Sequence, residues 1–154
     1  MFREMRRIEK LSSIDRAEEI LTNGEYGVLS TIGENGYPYG VALNYVYMNN
    51  RIYVHSAKEG HKLDNIKFSS KVSFFVVSYS ELIPNKFETY YDSVVCFGDA
   101  QQVEGEEKDL ALRKFIEKYS KEFMESGEKY ISNMKDKTTI IRINILHKTG
   151  KIGR

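Results

Sequence analysis

The sequence predicts a mainly β protein in which six antiparallel strands curl into a barrel with helices at its periphery. Three observations carry this. Six segments show alternating apolar residues or β-branched and aromatic enrichment, most of them are joined by hairpin-type turns, and the helical segments interrupt the strands without alternating regularly with them. The last point argues against a doubly wound parallel sheet. Closing the barrel removes the exposed edges that long apolar strands would otherwise present.

In chain order, Ser12-Ser13 can cap a helix over about residues 13–22 with Ile14, Ala17, Ile20 and Leu21 on one face, and Asn23-Gly24 is its stop signal. Tyr26–Ile32 reads as the first strand, and Glu34-Asn35-Gly36 turns it into the second, Tyr39–Met48. Asn49-Asn50 makes the next tight turn into Arg51–Ser56. After a polar loop comes a short helix, Lys62–Phe68, and then the β-branched and aromatic runs Lys71–Tyr79 and Thr89–Val103, separated by a loop at Ile83-Pro84-Asn85. Glu106–Tyr119 carries Leu110, Ala111, Phe115 and Tyr119 at helical spacing, and Gly127–Met134 adds a further short helix. The last strand is Thr138–Leu146, with Thr139, Ile141, Ile143 and Ile145 on one face and Arg142 and Asn144 on the other.

At 154 residues the chain has the length of one domain, 1–154, able to bury a core without metal or disulfide staples. Its formal net charge of +1, with acids and bases interspersed, gives no long-range field for nucleic acid or anionic lipid. The single cysteine, Cys96, excludes an internal disulfide and reads as a small buried strand residue. The N-terminal residues are charged with no apolar stretch behind them, and no run is long enough to span a bilayer, so a soluble, cytoplasmic protein is expected.

Chemistry concentrates between Arg51 and Phe68. There a strand opens into Ser56-Ala57-Lys58-Glu59-Gly60-His61-Lys62 and a helix start, which combines a flexible glycine, unpaired first-turn N–H groups and the donors Lys58, His61 and Lys62. This pattern suits a phosphate. A cation at a helix start opposes the helix dipole, so a bound anion relieves a local cost; the plainer reading of His61 and Lys62 is a pair of solvated charges.

The strand before it, with Tyr39, Gly40, Val41, Ala42, Leu43 and Asn44, has small residues over which a flat aromatic ligand could lie, with backbone amides and Asn44 at its edge. Read structurally, Gly40 marks a bulge, the tyrosines are barrel packing, and His55 is a barrel histidine satisfied by a neighbour. His147 reads as a plain surface histidine. No HxxxH, HExxH, GxSxG, dinucleotide or Walker pattern occurs, so metal catalysis is not expected and any phosphate belongs to a mononucleotide-type ligand.

Taken together, these motifs resemble the FMN-binding split β-barrel proteins of the pyridoxamine 5′-phosphate oxidase superfamily, in particular the nitroimidazole-resistance branch. The resemblance runs from about Arg6 to Lys151 through Gly36-Tyr37-Pro38-Tyr39, Leu43-Asn44-Tyr45, His55-Ser56-Ala57, Gly60-His61-Lys62, Asp64-Asn65-Ile66, Tyr91-Asp92-Ser93-Val94-Val95, Phe97-Gly98-Asp99-Ala100 and Thr149-Gly150-Lys151.

The resemblance implies a six-stranded Greek-key split barrel that binds FMN at a homodimer interface. It implies Tyr39–Asn44 along the flavin ring, His55 and Ser56 beside the ribityl chain and phosphate, His61 and Lys62 as phosphate ligands, and Ser93 reaching the cofactor from the other subunit. Tyr39, Tyr45 and Tyr91 would line the substrate side. Oxidases proper carry arginine where His61 stands and a basic C-terminal segment, so oxidation of that vitamer is not implied.

The expected function is an FMN-dependent reductase acting on a small substrate, nitro-aromatics included, with a nicotinamide electron donor and no identified proton donor. The alternatives are a non-catalytic flavin-storage or sensing protein, and a haem-binding split barrel with His55, His61 or His147 as axial ligand.

Overall fold

The computed structural model describes residues 1–154. Helix α1 spans Ile14–Asn23, and the Ser13 side chain accepts from the Arg16 amide at its start. Its buried face is Ala17, Ile20 and Leu21, whereas Ile14, expected on that face, stands in solvent. Strands β1 (Gly27–Ile32) and β2 (Pro38–Leu43) form a hairpin, followed by β3 (Val46–Met48) and β4 (Arg51–Ala57). Positive φ at Asn49 and Asn50 makes the tight β3–β4 turn, a conformation asparagine tolerates better than most residues.

Helix α2 is His61–Phe68, starting one residue earlier than expected. The long β5 (Lys71–Ile83) and β6 (Glu88–Val103) pair along nearly their whole length, then α3 (Gly105–Tyr119) and α4 (Met124–Met134) precede β7 (Thr138–Ile152). Strands β5 and β7 both outrun their sequence-predicted ends. Their extra residues find ladder partners on β6, and partners rather than propensity set strand length.

The expected count of six strands and the closed ladder are both corrected. One antiparallel sheet of seven strands runs in the order β2-β1-β5-β6-β7-β4-β3 and does not close through hydrogen bonds. The run read as one strand, Tyr39–Met48, is two, broken at Asn44-Tyr45. Its first part pairs with β1 at one edge of the sheet and its second with β4 at the other. Since only two residues separate these edge strands, the sheet must curl until its edges meet. The chain, not a ladder, closes the barrel.

The interior holds the main core, with Leu29, Ile52, Val54, Phe74, Val76, Val94, Ile141 and Ile143 facing inward and α1 closing one side with Ile20 and Leu21. Cys96 belongs to it, and burial pushes its thiol up to about 12, so it is an inert packing residue as expected. A second cluster of Val46, Tyr53, Val103, Ala111, Phe115 and Ile140 glues α3 to the outer face of β3, β4, β7 and the end of β6. Leu110, expected on that helix's buried face, is exposed instead. No helix is long and apolar enough to cross a membrane.

Candidate functional site

The split in the barrel leaves backbone unpaired on both sides. Strand β3 covers only Arg51–Tyr53 of β4, so the later part, Val54–Ala57, is paired on one side only, with β7. Strand β2 pairs with β1 alone and presents its other edge. At the break itself, α3 supplies what the ladder does not. The Tyr45 N–H donates to the Tyr119 hydroxyl at 3.0 Å, and the Tyr45 carbonyl accepts from Lys118 Nζ at 2.9 Å.

Along β2 the side chains alternate. Val41 and Leu43 pack on the core, while Gly40, Ala42 and Asn44 face outward and are exposed. The outward row therefore offers little more than backbone, a surface on which a planar ring can rest. At the end of β2 nearest α2, the Tyr39 ring stacks on the His61 imidazole with centroids 3.9 Å apart. Helix α2 is held there by Asn65, whose buried amide donates to the Thr31 hydroxyl at 3.0 Å.

Gly60 precedes the helix at φ +151°, a value that favours glycine, and no side chain caps the first turn. The N–H groups at the start of α2 are thus left open between Lys62, which is half-buried, and His61, which is exposed. Asp64 in the same turn is the opposing charge. The predicted partners Tyr39, His61 and Lys62 are therefore brought together.

His55 and Ser56 diverge, as neighbours on a strand must. Ser56 is buried and its hydroxyl donates to the Ala57 carbonyl at 2.7 Å. His55 faces outward under α3, edge-on to Phe115 with centroids 4.8 Å apart, and still keeps solvent contact. The surrounding protein mass, and secondarily the nearby Lys62 charge, lower its pKa, so it is a neutral imidazole at neutral pH. A neutral ring offers one donor and one acceptor, not a charge.

His55 and Asn44 share a hollow of about 170 Å³ whose far wall is Phe115, Tyr119, Tyr130 and Met134 from α3 and α4. Sequence reasoning found Phe115 and Tyr119 only as a helical core stripe and gave Tyr130 and Met134 no role. Spacing along one helix does not reveal what the helix covers.

Ser93 is not part of this cluster. It is buried on β6, in a separate hollow with Met5, Phe75, Val77, Tyr91 and Lys151. Tyr91 lies there too, away from β2. Tyr45, expected to face substrate, is fully buried and donates its hydroxyl to the Leu21 carbonyl. His147 is not a plain surface histidine: its ring stacks on Phe2 at 5.0 Å and its Nε2 is buried without a partner.

An open sheet folded on itself with a crevice at the split, a bare β2 edge and an uncapped helix start defines the split-barrel class. The chain belongs to the pyridoxamine 5′-phosphate oxidase family, whose model matches residues 13–152. Among solved structures it is similar to a conserved hypothetical protein of Mycobacterium tuberculosis, at 20% identity over 98% of this chain and 91% of that one, with a TM-score of 0.82. A candidate 5-nitroimidazole antibiotic resistance protein from Bacteroides thetaiotaomicron is similar at 21% identity over 92% and 86%, with a TM-score of 0.75. A FAD-binding protein from Mesorhizobium loti follows at 20% identity over 92% and 95%, with a TM-score of 0.66. At these identities the likeness is one of fold. No curated protein matches the sequence.

Proposed function

We propose that this protein is an FMN-dependent oxidoreductase of small substrates, with the flavin laid along the free edge of β2. The observation that carries the reading is the continuity of that edge with the Tyr39–His61 stack and the uncapped start of α2. Gly40 and Ala42 let a ring approach the strand, backbone groups of Tyr39–Leu43 border it, and Asn44 stands at its far end. His61, Lys62 and the first-turn N–H groups hold the phosphate. Ser56 contributes packing rather than its hydroxyl, which is already used. FMN, when bound, supplies two-electron transfer; the protein binds, orients and shields the ring.

The hollow between Asn44, His55 and the α3–α4 pair is the substrate side. Its aromatic and methionine lining suits a planar molecule about one ring in size, and neutral His55 can hydrogen-bond a polar substituent. Likeness to the resistance protein supports nitro-aromatics as one substrate class. The family match supports a flavin of the FMN type.

The working unit is a homodimer. Ala42 pairs with Val28, Val28 with Phe75 and Phe75 with Val95, and Ser93 lies two residues beyond Val95. Three strand spacings, about 14 Å, separate it from β2, which supports a Ser93 that meets the flavin of a second copy rather than its own. The same outer face exposes Phe75, Tyr91 and Phe97, an apolar surface that a second copy would cover.

Absorption spectroscopy of the purified protein, mass spectrometry of the released ligand, reduction by NADH or NADPH and sedimentation equilibrium test this together. A flavin spectrum, FMN mass, reducible cofactor and dimer are expected. A Soret band, or a flavin that no donor reduces and no acceptor reoxidises, overturns the oxidoreductase reading; a monomer that keeps its flavin overturns the dimer.

A further inference from the structure

A second concave region lies on the other side of α3 from His55. The hollow beside edge strand β3, about 460 Å³, has an apolar floor of Val46, Met48 and Met124 and a rim carrying Lys114, Lys118 and Lys121 against the single carboxylate of Glu117. Glu117 pairs with Lys114 at 3.0 Å, which leaves Lys118 and Lys121 without a carboxylate partner. In a chain whose charges are otherwise balanced and interspersed, this is a local positive site.

Lys118 is the unusual member. Its ammonium is half-buried, donates to the Tyr45 carbonyl at 2.9 Å, and lies 3.8 Å from the centroid of the Tyr45 ring. Burial alone draws its pKa down to about 8, so an arriving anion would stabilise the charged form.

Lys118 is the wall between this hollow and the next. A neighbouring one of about 540 Å³ shares Thr22 and Lys118 with it and continues to Asn44 and Tyr119, with Glu25 at its lip. Asn44 and Tyr119 in turn line the His55 hollow. Three adjoining hollows thus follow α3 from the lysine rim to the proposed substrate side of the flavin, divided by Lys118 and Tyr119 where these side chains bond the Tyr45 and Glu25 backbone.

We propose that this run of hollows seats an adenosine diphosphate moiety, its pyrophosphate held by Lys118 and Lys121 and its purine laid on Met48 and Met124, with the redox end of the same ligand reaching Asn44. The position of that redox end rests on the flavin reading above; the lysine site does not. Two ligands carry this chemistry: a reduced pyridine nucleotide, which is compatible with a flavin phosphate at α2, and FAD, whose diphosphate here would replace that α2 phosphate site. Two cations suit a pyrophosphate, methionines accept a flat purine, and both hollows have volumes typical of small-molecule sites.

The test is calorimetric titration of ADP-ribose, which carries the diphosphate and purine but no nicotinamide, into the full-length protein as purified and again after its flavin is removed. Binding that weakens with salt is expected, and Lys118→Met and Lys121→Glu should each weaken it at least about tenfold. Lys121 is exposed, so its variant tests the site even if Lys118→Met fails to fold. Flavin content should not change in Lys121→Glu if the released flavin is FMN, which identifies the pyridine nucleotide as the source; loss of a released FAD identifies FAD.

No ADP-ribose binding in either state, or equal binding by parent and both variants, overturns the inference. A preparation that neither carries nor takes up flavin but binds ADP-ribose through these lysines upholds the lysine site and removes the flavin reading instead.

Discussion

The His61 imidazole lies on the Tyr39 ring with centroids 3.9 Å apart, which joins the start of α2 to the free edge of β2. One contact therefore ties the proposed phosphate cradle to the proposed ring platform. Replacing His61 and Lys62 together by alanine removes two donors to a dianion. At about 1.5–3 kcal/mol for each charge-assisted contact, FMN affinity should fall by at least about a hundredfold. Fluorescence titration of apoprotein measures it, and superimposable curves for variant and parent would rule out this phosphate site.

Tyr119 tests how the split is stabilised. Its hydroxyl accepts the Tyr45 N–H and lies 2.7 Å from the Glu25 carbonyl oxygen. Tyr119→Phe leaves a backbone donor without its partner at the point where the sheet is already broken. The expected cost is about 1–3 kcal/mol in urea unfolding with an unchanged m-value. Parent-like stability would show that water replaces the phenol.

Acid should weaken the fold through His55. Burial, then the Lys62 charge, hold its folded pKa below the ordinary 6.5, so the unfolded chain takes up the proton first. The contribution is complete above pH 6.5 and declines as pH falls from there, until the folded imidazole also titrates. Between pH 7.5 and 5.5 the unfolding midpoint of the parent should fall relative to that of His55→Gln as pH drops. Parallel lines would contradict the assignment.

Asp92 anchors the C-terminus. Its carboxylate, almost fully buried, receives Arg154 at 2.6 and 3.1 Å and Arg16 at 2.7 Å. Burial alone would raise its pKa, but the two guanidinium groups outweigh that and hold it below the usual range. Both arginines are roughly two-fifths exposed and screened, so Arg154→Ala should cost little. Asp92→Ala removes the shared partner of both and should cost more, about 1–3 kcal/mol. Chemical denaturation of the two variants in parallel gives the comparison; equal losses would place the stability in the tail rather than in Asp92.

Much of the fold was legible because alternation, turn residues and caps act locally. The Ser13 cap, the Asn49-Asn50 turn and the Gly60 entry to α2 each fulfil a requirement written within a few residues. The placing of His61 and Lys62 in the first turn after Gly60 is likewise local. The missing strand break was illegible for a definite reason. From Tyr39 through Val41, Leu43 and Tyr45 to Tyr47 the inward period of two never falters, even though the chain leaves one ladder and joins another at Asn44-Tyr45. Alternation reports which way side chains point and is blind to which strand lies alongside.

The sequence by itself determined a mainly β chain, its local turns, and the residue types that could receive a phosphate and a flat ring. Tertiary structure alone decided that the sheet has seven strands held in a ring by the covalent chain, that Tyr45 is core while Phe115, Tyr119 and Tyr130 wall the hollow beside Asn44 and His55, and that Ser93 lies three strands from β2. Those are properties of pairs of segments distant in the chain. Pairing, burial and shared hollows depend on how the sheet curls, and no short window of residues contains that information.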